Sequence, residues 1–248
     1  MMTQETFFIA LMIFLLGLII GSFLNVVIYR IPQGESIIFP ASKCQYCRHT
    51  LKWWQNIPLF SWAILRGKCY FCQTKIALQY PLIEFLTGII FLLLYLKVGL
   101  VWYFPFTAGS FCGLLALVMI DFKYMAVPDS INIAALTFGL IQPHFIYSVL
   151  DGLIASLTLY LIGKFSSVLA KKEAMGSADV IVAGTMGALL GFPHFFAALF
   201  LAAILAIFPA LVWRQRGVPF IPFLALATLI VYLYDDQTTQ LLGEIIYG

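Results

Sequence analysis

The chain has 248 residues, of which 62% are hydrophobic and only 10% are charged. Soluble domains of average composition carry about 45–50% apolar and about 25% charged residues, so a soluble globule of this size could not cover so much apolar surface. The composition excludes a soluble enzyme, a disordered chain and a typical nucleic-acid-binding protein. It indicates an all-α polytopic membrane protein. The expected partner is therefore the lipid bilayer, and no binding to nucleic acid is expected.

Apolar stretches long enough to cross a bilayer as a helix, about 20 residues, recur along the chain. The first stretch, 7–29, is preceded by Glu5 and by no basic residue, and it is too long for a secretory signal. We therefore expect it to be retained as a transmembrane helix, and further stretches bring the predicted total to about eight spans. The later spans are 82–96, 101–120, 131–148, 150–169, 179–192, 194–213 and 219–235.

The basic residues support this count. Of the 14 Lys and Arg, seven lie between Arg30 and Lys75, where Glu35 is the only acid. With the N-terminus outside, this basic stretch and nearly all other Lys and Arg fall in inside loops, as the positive-inside rule requires. The expected division is a first transmembrane helix over 1–29, a cytoplasmic loop domain over 30–80 and a membrane core over 81–248.

The inside loop contains two C-x-x-C motifs, formed by Cys44 with Cys47 and by Cys69 with Cys72. Their spacing is typical of a four-thiolate zinc site, and a reducing cytoplasm disfavours two structural disulfides. Zinc would also supply folding energy to a loop that has little core of its own. One alternative is a set of reduced thiols without metal. A redox pair of the thioredoxin kind is less favoured, because no βαβ pattern surrounds the motifs. His49 is a surface residue or a replacement ligand.

Acidic residues at the ends of apolar spans are a second candidate site, because ionisable groups in a membrane are costly. Asp121 closes one span and Asp179 opens another, and the topology puts both at the cytoplasmic boundary. Two carboxylates at one depth can share a proton and activate water, as in aspartic proteases. The alternative is helix capping, since Asp is a favourable N-cap for a helix that starts near residue 179. Asp129 and Asp151 are interpreted as caps or turn formers, and Glu84 as a residue facing the loop.

Ordered sequence blocks make the chain resemble the type IV prepilin peptidases, a family of aspartic membrane proteases that are also N-methyltransferases. The resemblance covers nearly the whole chain and includes both cysteine motifs. The blocks that carry it are 21–32, 56–62, 65–69, 80–84, Asp121 with 127–129, 172–179 and 216–226.

The chain departs from the family pattern at three positions. Ala178 stands at the second glycine of the G-x-G-D motif, Ile181 where many members have lysine, and Ile221 where glycine is usual. Glycine adopts positive φ at little cost, so Ala178 would be strained if the motif needed that geometry. The departures leave open a catalytically altered or inactive family member that acts as a membrane assembly factor.

The resemblance implies a bacterial inner-membrane enzyme that removes the leader peptide of type IV prepilin or pseudopilin precursors, with Asp121 and Asp179 as its catalytic residues. It also implies N-methylation of the new N-terminal residue, with S-adenosylmethionine as methyl donor and zinc as a structural ion. No Rossmann glycine fingerprint marks a donor site. By position only, the region of Asn25, Arg30 and Glu84 is expected to hold it.

Overall fold

A computed structural model describes residues 4–171, 176–212 and 219–240. Within these ranges the regular structure is helical, apart from two isolated β-bridges in the loop over 30–80. The α-helices are α1 (Gln4–Arg30), α2 (Phe60–Ile64), α3 (Gln79–Val98), α4 (Phe104–Tyr124), α5 (Asp129–Leu140), α6 (Phe145–Ala170), α7 (Ser177–Leu190), α8 (His194–Val212) and α9 (Ile221–Leu233).

The protein is an all-helical membrane protein. Of the helices in the described residues, five are long and apolar enough to cross a membrane: α1, α3, α4, α6 and α8. Helices α5, α7 and α9 overlap the other predicted spans but have only 12, 14 and 13 residues. At 1.5 Å per residue, a helix of this length extends over about 20 Å, short of the roughly 30 Å hydrocarbon core. The predicted count of eight spans is therefore not confirmed.

The predicted boundary between the spans 131–148 and 150–169 is wrong. Helix α5 ends at Leu140 and α6 begins at Phe145, so the chain breaks around Pro143. Proline lacks an N–H and disfavours a helical conformation in the residue before it, which is why the helix stops there. As a consequence Asp151, interpreted from the sequence as a cap, lies inside α6.

Two compact units make up the chain, residues 1–100 and 101–248. In the first unit α1 packs along α3. A Cβ atom added to Gly21 would lie 2.7 Å from the Glu84 Cα atom, so the two backbones meet at a distance that only glycine permits. Small residues that allow such an approach are common between membrane helices. The functional division predicted at residues 30 and 81 stays a prediction.

In the second unit α5 lies against both α4 and α7. The Ser110 hydroxyl of α4 donates a hydrogen bond of 2.8 Å to the Ala135 carbonyl of α5. On the other side of α7, the Ser156 hydroxyl of α6 donates to the Val180 carbonyl at 3.1 Å. The first contact ties the middle of α4 to α5, and the second holds the first turn of α7, where Asp179 lies.

Candidate functional sites: an aspartate pair and a four-cysteine cluster

Asp121 lies in the last turn of α4, and its side chain is buried. Its carboxylate accepts a hydrogen bond from the backbone N–H of Ile221, the first residue of α9. The first N–H groups of a helix have no partner within the helix and carry partial positive charge. The N-terminus of α9 therefore stabilises negative charge on Asp121.

Asp179 is the third residue of α7, which begins at Ser177 rather than near 179. Its Oδ2 atom accepts a hydrogen bond of 3.0 Å from the Gly176 N–H, while its own N–H donates to the Gly176 carbonyl at 3.2 Å. The capping role considered from the sequence is thus present, with Asp179 inside the first turn instead of at the N-cap position. Capping also holds the half-buried carboxylate in one orientation.

The structure brings the two predicted aspartates together. Asp121 and Asp179 come from different helices, and their carboxylates are close enough to interact electrostatically. Like charges at short range favour a state in which one carboxyl is protonated and the other ionised. Such a pair offers a general acid and a general base side by side. Their catalytic role stays a prediction.

The residues that depart from the family pattern fit the observed backbone. Ala178 lies in the first turn of α7 and is not among the residues with positive φ, so the strain expected for a replaced glycine does not arise. Ile221 is buried and still supplies its N–H to Asp121. Ile181 is half-buried. The parts of the sequence blocks over 172–175 and 216–218 lie outside the described residues.

Sequence reasoning missed Asn132, which touches the aspartate site from α5. Its Nδ2 atom donates a hydrogen bond of 3.0 Å to the Ala178 carbonyl, and its side chain is fully buried. Within the described residues, its Oδ1 atom is also buried and has no hydrogen-bond partner. The signal that could have found it is a lone amide in an apolar helix, since uncharged polar residues there also need partners.

The two cysteine motifs fold as near copies of one another. In each, the first cysteine's N–H donates to the carbonyl five residues on, from Cys44 to His49 and from Cys69 to Thr74, both at 2.9 Å. A residue with positive φ follows each second cysteine, namely Arg48 (56°) in one motif and Gln73 (57°) in the other. The chain thus turns twice with the same geometry. Each turn leaves two sulfurs on one side.

The four sulfurs of Cys44, Cys47, Cys69 and Cys72 lie within 4.8 Å of one another and could hold a metal ion. The Sγ atoms of Cys44 and Cys72 are 3.8 Å apart, and those of Cys47 and Cys69 are 4.0 Å apart. A tetrahedron with Zn–S bonds of about 2.3 Å has sulfur–sulfur edges of about 3.8 Å. The observed spacing therefore fits a four-thiolate ion. The His49 ring stacks on Phe71, with centroids 3.7 Å apart.

The thiols of the cluster differ in their pKa values. Hydrogen bonds to the hydroxyl and backbone of Thr74 lower the pKa of the Cys72 thiol to about 6. The His49 backbone lowers the pKa of Cys47, but burial and the neighbouring sulfurs outweigh it and raise that pKa to about 11. Ionisation of one thiol thus makes ionisation of a neighbouring thiol less favourable. A cation at the centre would remove this repulsion and favour four thiolates.

The residues expected near a methyl donor contact backbone groups in the structure. The Arg30 guanidinium donates hydrogen bonds to the carbonyls of Ser36, at 2.9 Å, and Pro40, at 2.8 Å. The Asn25 amide donates to the Tyr80 carbonyl at 3.0 Å, although its buried Oδ1 has no partner among the described residues. The Arg30 contacts tie the loop over 30–80 to the end of α1, and the Asn25 contact ties α1 to the first turn of α3.

Glu84 makes a similar link. Its Oε2 atom accepts a hydrogen bond of 2.8 Å from the Leu59 N–H, and the Ser22 hydroxyl of α1 contacts the same carboxylate. The carboxylate is buried. Whether these residues also bind a methyl donor stays a prediction.

Fold and sites together define a helical membrane protein with a carboxylate pair in one unit and a four-cysteine cluster in the other. The model of the "Bacterial Peptidase A24 N-terminal domain" matches residues 15–98, and that of the "Type IV leader peptidase family" matches 108–211. The chain belongs to the type IV leader peptidase family.

Relatives similar to most of the chain bear one name, "Prepilin leader peptidase/N-methyltransferase". The protein from Neisseria gonorrhoeae is 33% identical over 90% of this chain and 89% of its own length. The protein from Legionella pneumophila is 32% identical over 93% of each chain, and that from Pseudomonas aeruginosa 31% identical over 91% and 90%. No solved structure matches the chain.

Proposed function

We propose that this protein cleaves the leader peptide of type IV prepilin or pseudopilin precursors and N-methylates the new N-terminal residue. The observation that carries the proposal is the pairing of Asp121 with Asp179 in a member of this family. The names of relatives that match both halves of the chain support the second activity.

In the proposed cleavage, the ionised aspartate of the pair removes a proton from a water molecule, whose oxygen attacks the carbonyl of the scissile bond. The protonated aspartate donates its proton as the leaving amine departs. Hydrogen bonds from Ile221 to Asp121 and from Gly176 to Asp179 hold both carboxylates in place. The pair can then act without rearranging first.

The distribution of Lys and Arg supports an inner-membrane orientation with a periplasmic N-terminus and a cytoplasmic loop over 30–80. In that orientation Asp121 and Asp179 lie at the cytoplasmic boundary. We place the substrate's basic leader in the cytoplasm and its apolar helix in the bilayer, so that the scissile bond lies at this boundary. Helices α5, α7 and α9 would make up the eight spans with the five longer helices.

We propose zinc as the ion of the cysteine cluster, because four thiolates at tetrahedral spacing are a typical structural zinc site. The ion would stabilise the fold of a loop with few buried apolar side chains and take no part in catalysis. Cys69 is the buried member of the four, and Cys47 the exposed one.

For the methylation we propose S-adenosylmethionine as the donor, which when bound supplies an electrophilic methyl group. The region of Asn25, Arg30 and Glu84 remains the proposed location. Glu84 is the acidic side chain there, and its carboxylate could accept the proton that the amine loses.

The alternative is an inactive family member that serves as an assembly factor, and the comparisons do not favour it. The contacts of Ala178 and Ile221 also weigh against it, since neither residue disturbs the aspartates. Co-expression with a prepilin, followed by mass measurement of the pilin N-terminus, reports leader removal and methylation together. An unprocessed prepilin beside correctly inserted protein would contradict the proposed function.

A further inference from the structure

We propose that Asn132 is a positioning residue for Asp179 in leader cleavage. The proposal rests on the proposed function, because it assumes that Asp179 takes part in the reaction. Its basis is the hydrogen bond of 3.0 Å from the Asn132 Nδ2 atom to the Ala178 carbonyl.

The peptide that Asn132 holds is the one that leads into Asp179. The Ala178 carbonyl belongs to the same planar peptide unit as the Asp179 N–H, so fixing this oxygen fixes the plane from which the Asp179 Cα atom continues. The Asp179 N–H and Oδ2 atoms in turn bond to Gly176. Asn132 thus holds the peptide before Asp179, and Gly176 holds the Asp179 carboxylate.

The position of α5 makes this contact relevant to both aspartates. Helix α5 packs against α4, which carries Asp121, and against α7, which carries Asp179. Asn132 lies one turn after the start of α5 and reaches the first turn of α7. The Asn132 hydrogen bond therefore ties the start of α7 to α5, which also packs against α4, the helix that carries Asp121. A shift of about 1 Å between catalytic groups can lower a rate about a hundredfold.

An amide at this position costs stability, which argues for a role beyond packing. The Asn132 side chain is fully buried, and within the described part of the chain its Oδ1 atom has no partner. Burying an unpaired polar atom is unfavourable, and an apolar residue of the same size would avoid it. Helix α7 is already tied to α6 through Ser156 and Val180.

The matched variants are Asn132→Leu, which keeps the branched shape of the side chain but removes the donor, and Ser156→Ala, which removes a hydrogen bond to the Val180 carbonyl in the first turn of α7. Each is purified in detergent beside the wild-type protein, and kcat, KM and the pH profile of kcat are measured with a prepilin. Methylation is measured separately with a pilin whose leader is already removed. Thermal unfolding reports whether each variant is folded.

We expect Asn132→Leu to lower kcat about 10- to 100-fold, with KM within about twofold and methylation unchanged. The pH profile of kcat should shift, since the coupling between the two carboxyls depends on their separation. Asn132→Gln keeps an amide donor and should recover part of the rate. Ser156→Ala should retain a wild-type pH profile.

Two results would overturn the positioning role while the wild type remains active. One is a wild-type kcat and pH profile in Asn132→Leu. The other is an equal loss and an equal profile shift in Ser156→Ala, which would mean that any loosening of α7 has this effect. A wild-type protein that cleaves no prepilin would instead overturn the proposed function, and the positioning role with it.

Discussion

Glu84 and Leu59 are joined by a hydrogen bond of 2.8 Å between a buried carboxylate on α3 and a backbone N–H of the loop over 30–80. Leu59 has a φ of 60°, a conformation that residues other than glycine rarely adopt. Such backbone strain costs about 1–3 kcal/mol and persists only where surrounding contacts impose it. The hydrogen bond to the Glu84 carboxylate is one of the contacts that hold Leu59 in this conformation.

Replacing Glu84 should separate its anchoring role from a chemical one. Glu84→Ala leaves the Leu59 N–H without its acceptor, so the loop should be destabilised by about 1–3 kcal/mol and cut faster by protease. Glu84→Gln keeps a carbonyl acceptor and should preserve the loop. If Glu84 also accepts a proton during methylation, the Gln variant will yield cleaved but unmethylated pilin. Full methylation by Glu84→Gln would leave Glu84 with the anchoring role alone.

The close approach of α1 and α3 predicts a sharp effect at Gly21. In Gly21→Ala the new Cβ would lie 2.7 Å from the Glu84 Cα atom, so the helices must move apart. Overpacking of this kind costs about 1–3 kcal/mol and should lower the unfolding temperature in detergent. Leu16→Ala, on an exposed part of α1, is the control and should have little effect. An equal effect of both substitutions would contradict the close packing.

Much of the fold was predictable from the sequence because composition alone identifies apolar helices. The lengths of the helices were harder to predict, since hydropathy does not mark where one ends inside an apolar stretch. Gln142, Pro143 and His144 interrupt the apolar sequence between α5 and α6, and the predicted span 131–148 crossed this short break because the residues on both sides of it are apolar. The cysteine cluster was predictable because C-x-x-C spacing determines local geometry.

The aspartate site was only partly predictable. Asp121 and Asp179 stood out because charge is rare in apolar helices, but their partners are backbone groups, which any sequence supplies. The N–H of Ile221 and the carbonyl of Ala178 gave no signal of their own, and their side chains drew attention only as departures from a family pattern. The contact from Asn132 depends on how α5 packs against α7.

Substitution of either aspartate should stop leader removal. Asp121→Asn and Asp179→Asn keep the size of the side chain and remove the acid–base function, so we expect cleavage to fall by about 10²–10⁴-fold. Asp129→Asn, at the first residue of α5, is the control and should cleave at near the wild-type rate. Pilin mass, measured beside the amount of inserted protein, reports the result. Normal cleavage by either of the first two variants would refute the assignment.

The cysteine cluster predicts that the purified protein holds one zinc ion per chain, bound by sulfur at about 2.3 Å. Cys69→Ser should lose the ion, whereas Cys112→Ser, a buried cysteine of α4 outside the cluster, should keep it. Metal content and X-ray absorption measure both.

Removing the ion should also separate the two activities. The cluster lies in the loop of the first unit, and the aspartates lie in the second. Because the ion would supply folding energy to that loop, a chelator should unfold it and impair methylation of a trimmed pilin more than cleavage of a prepilin. Restoring zinc should restore methylation. Equal loss of both activities, or loss of neither, would contradict a purely structural ion that serves the methylating half of the protein.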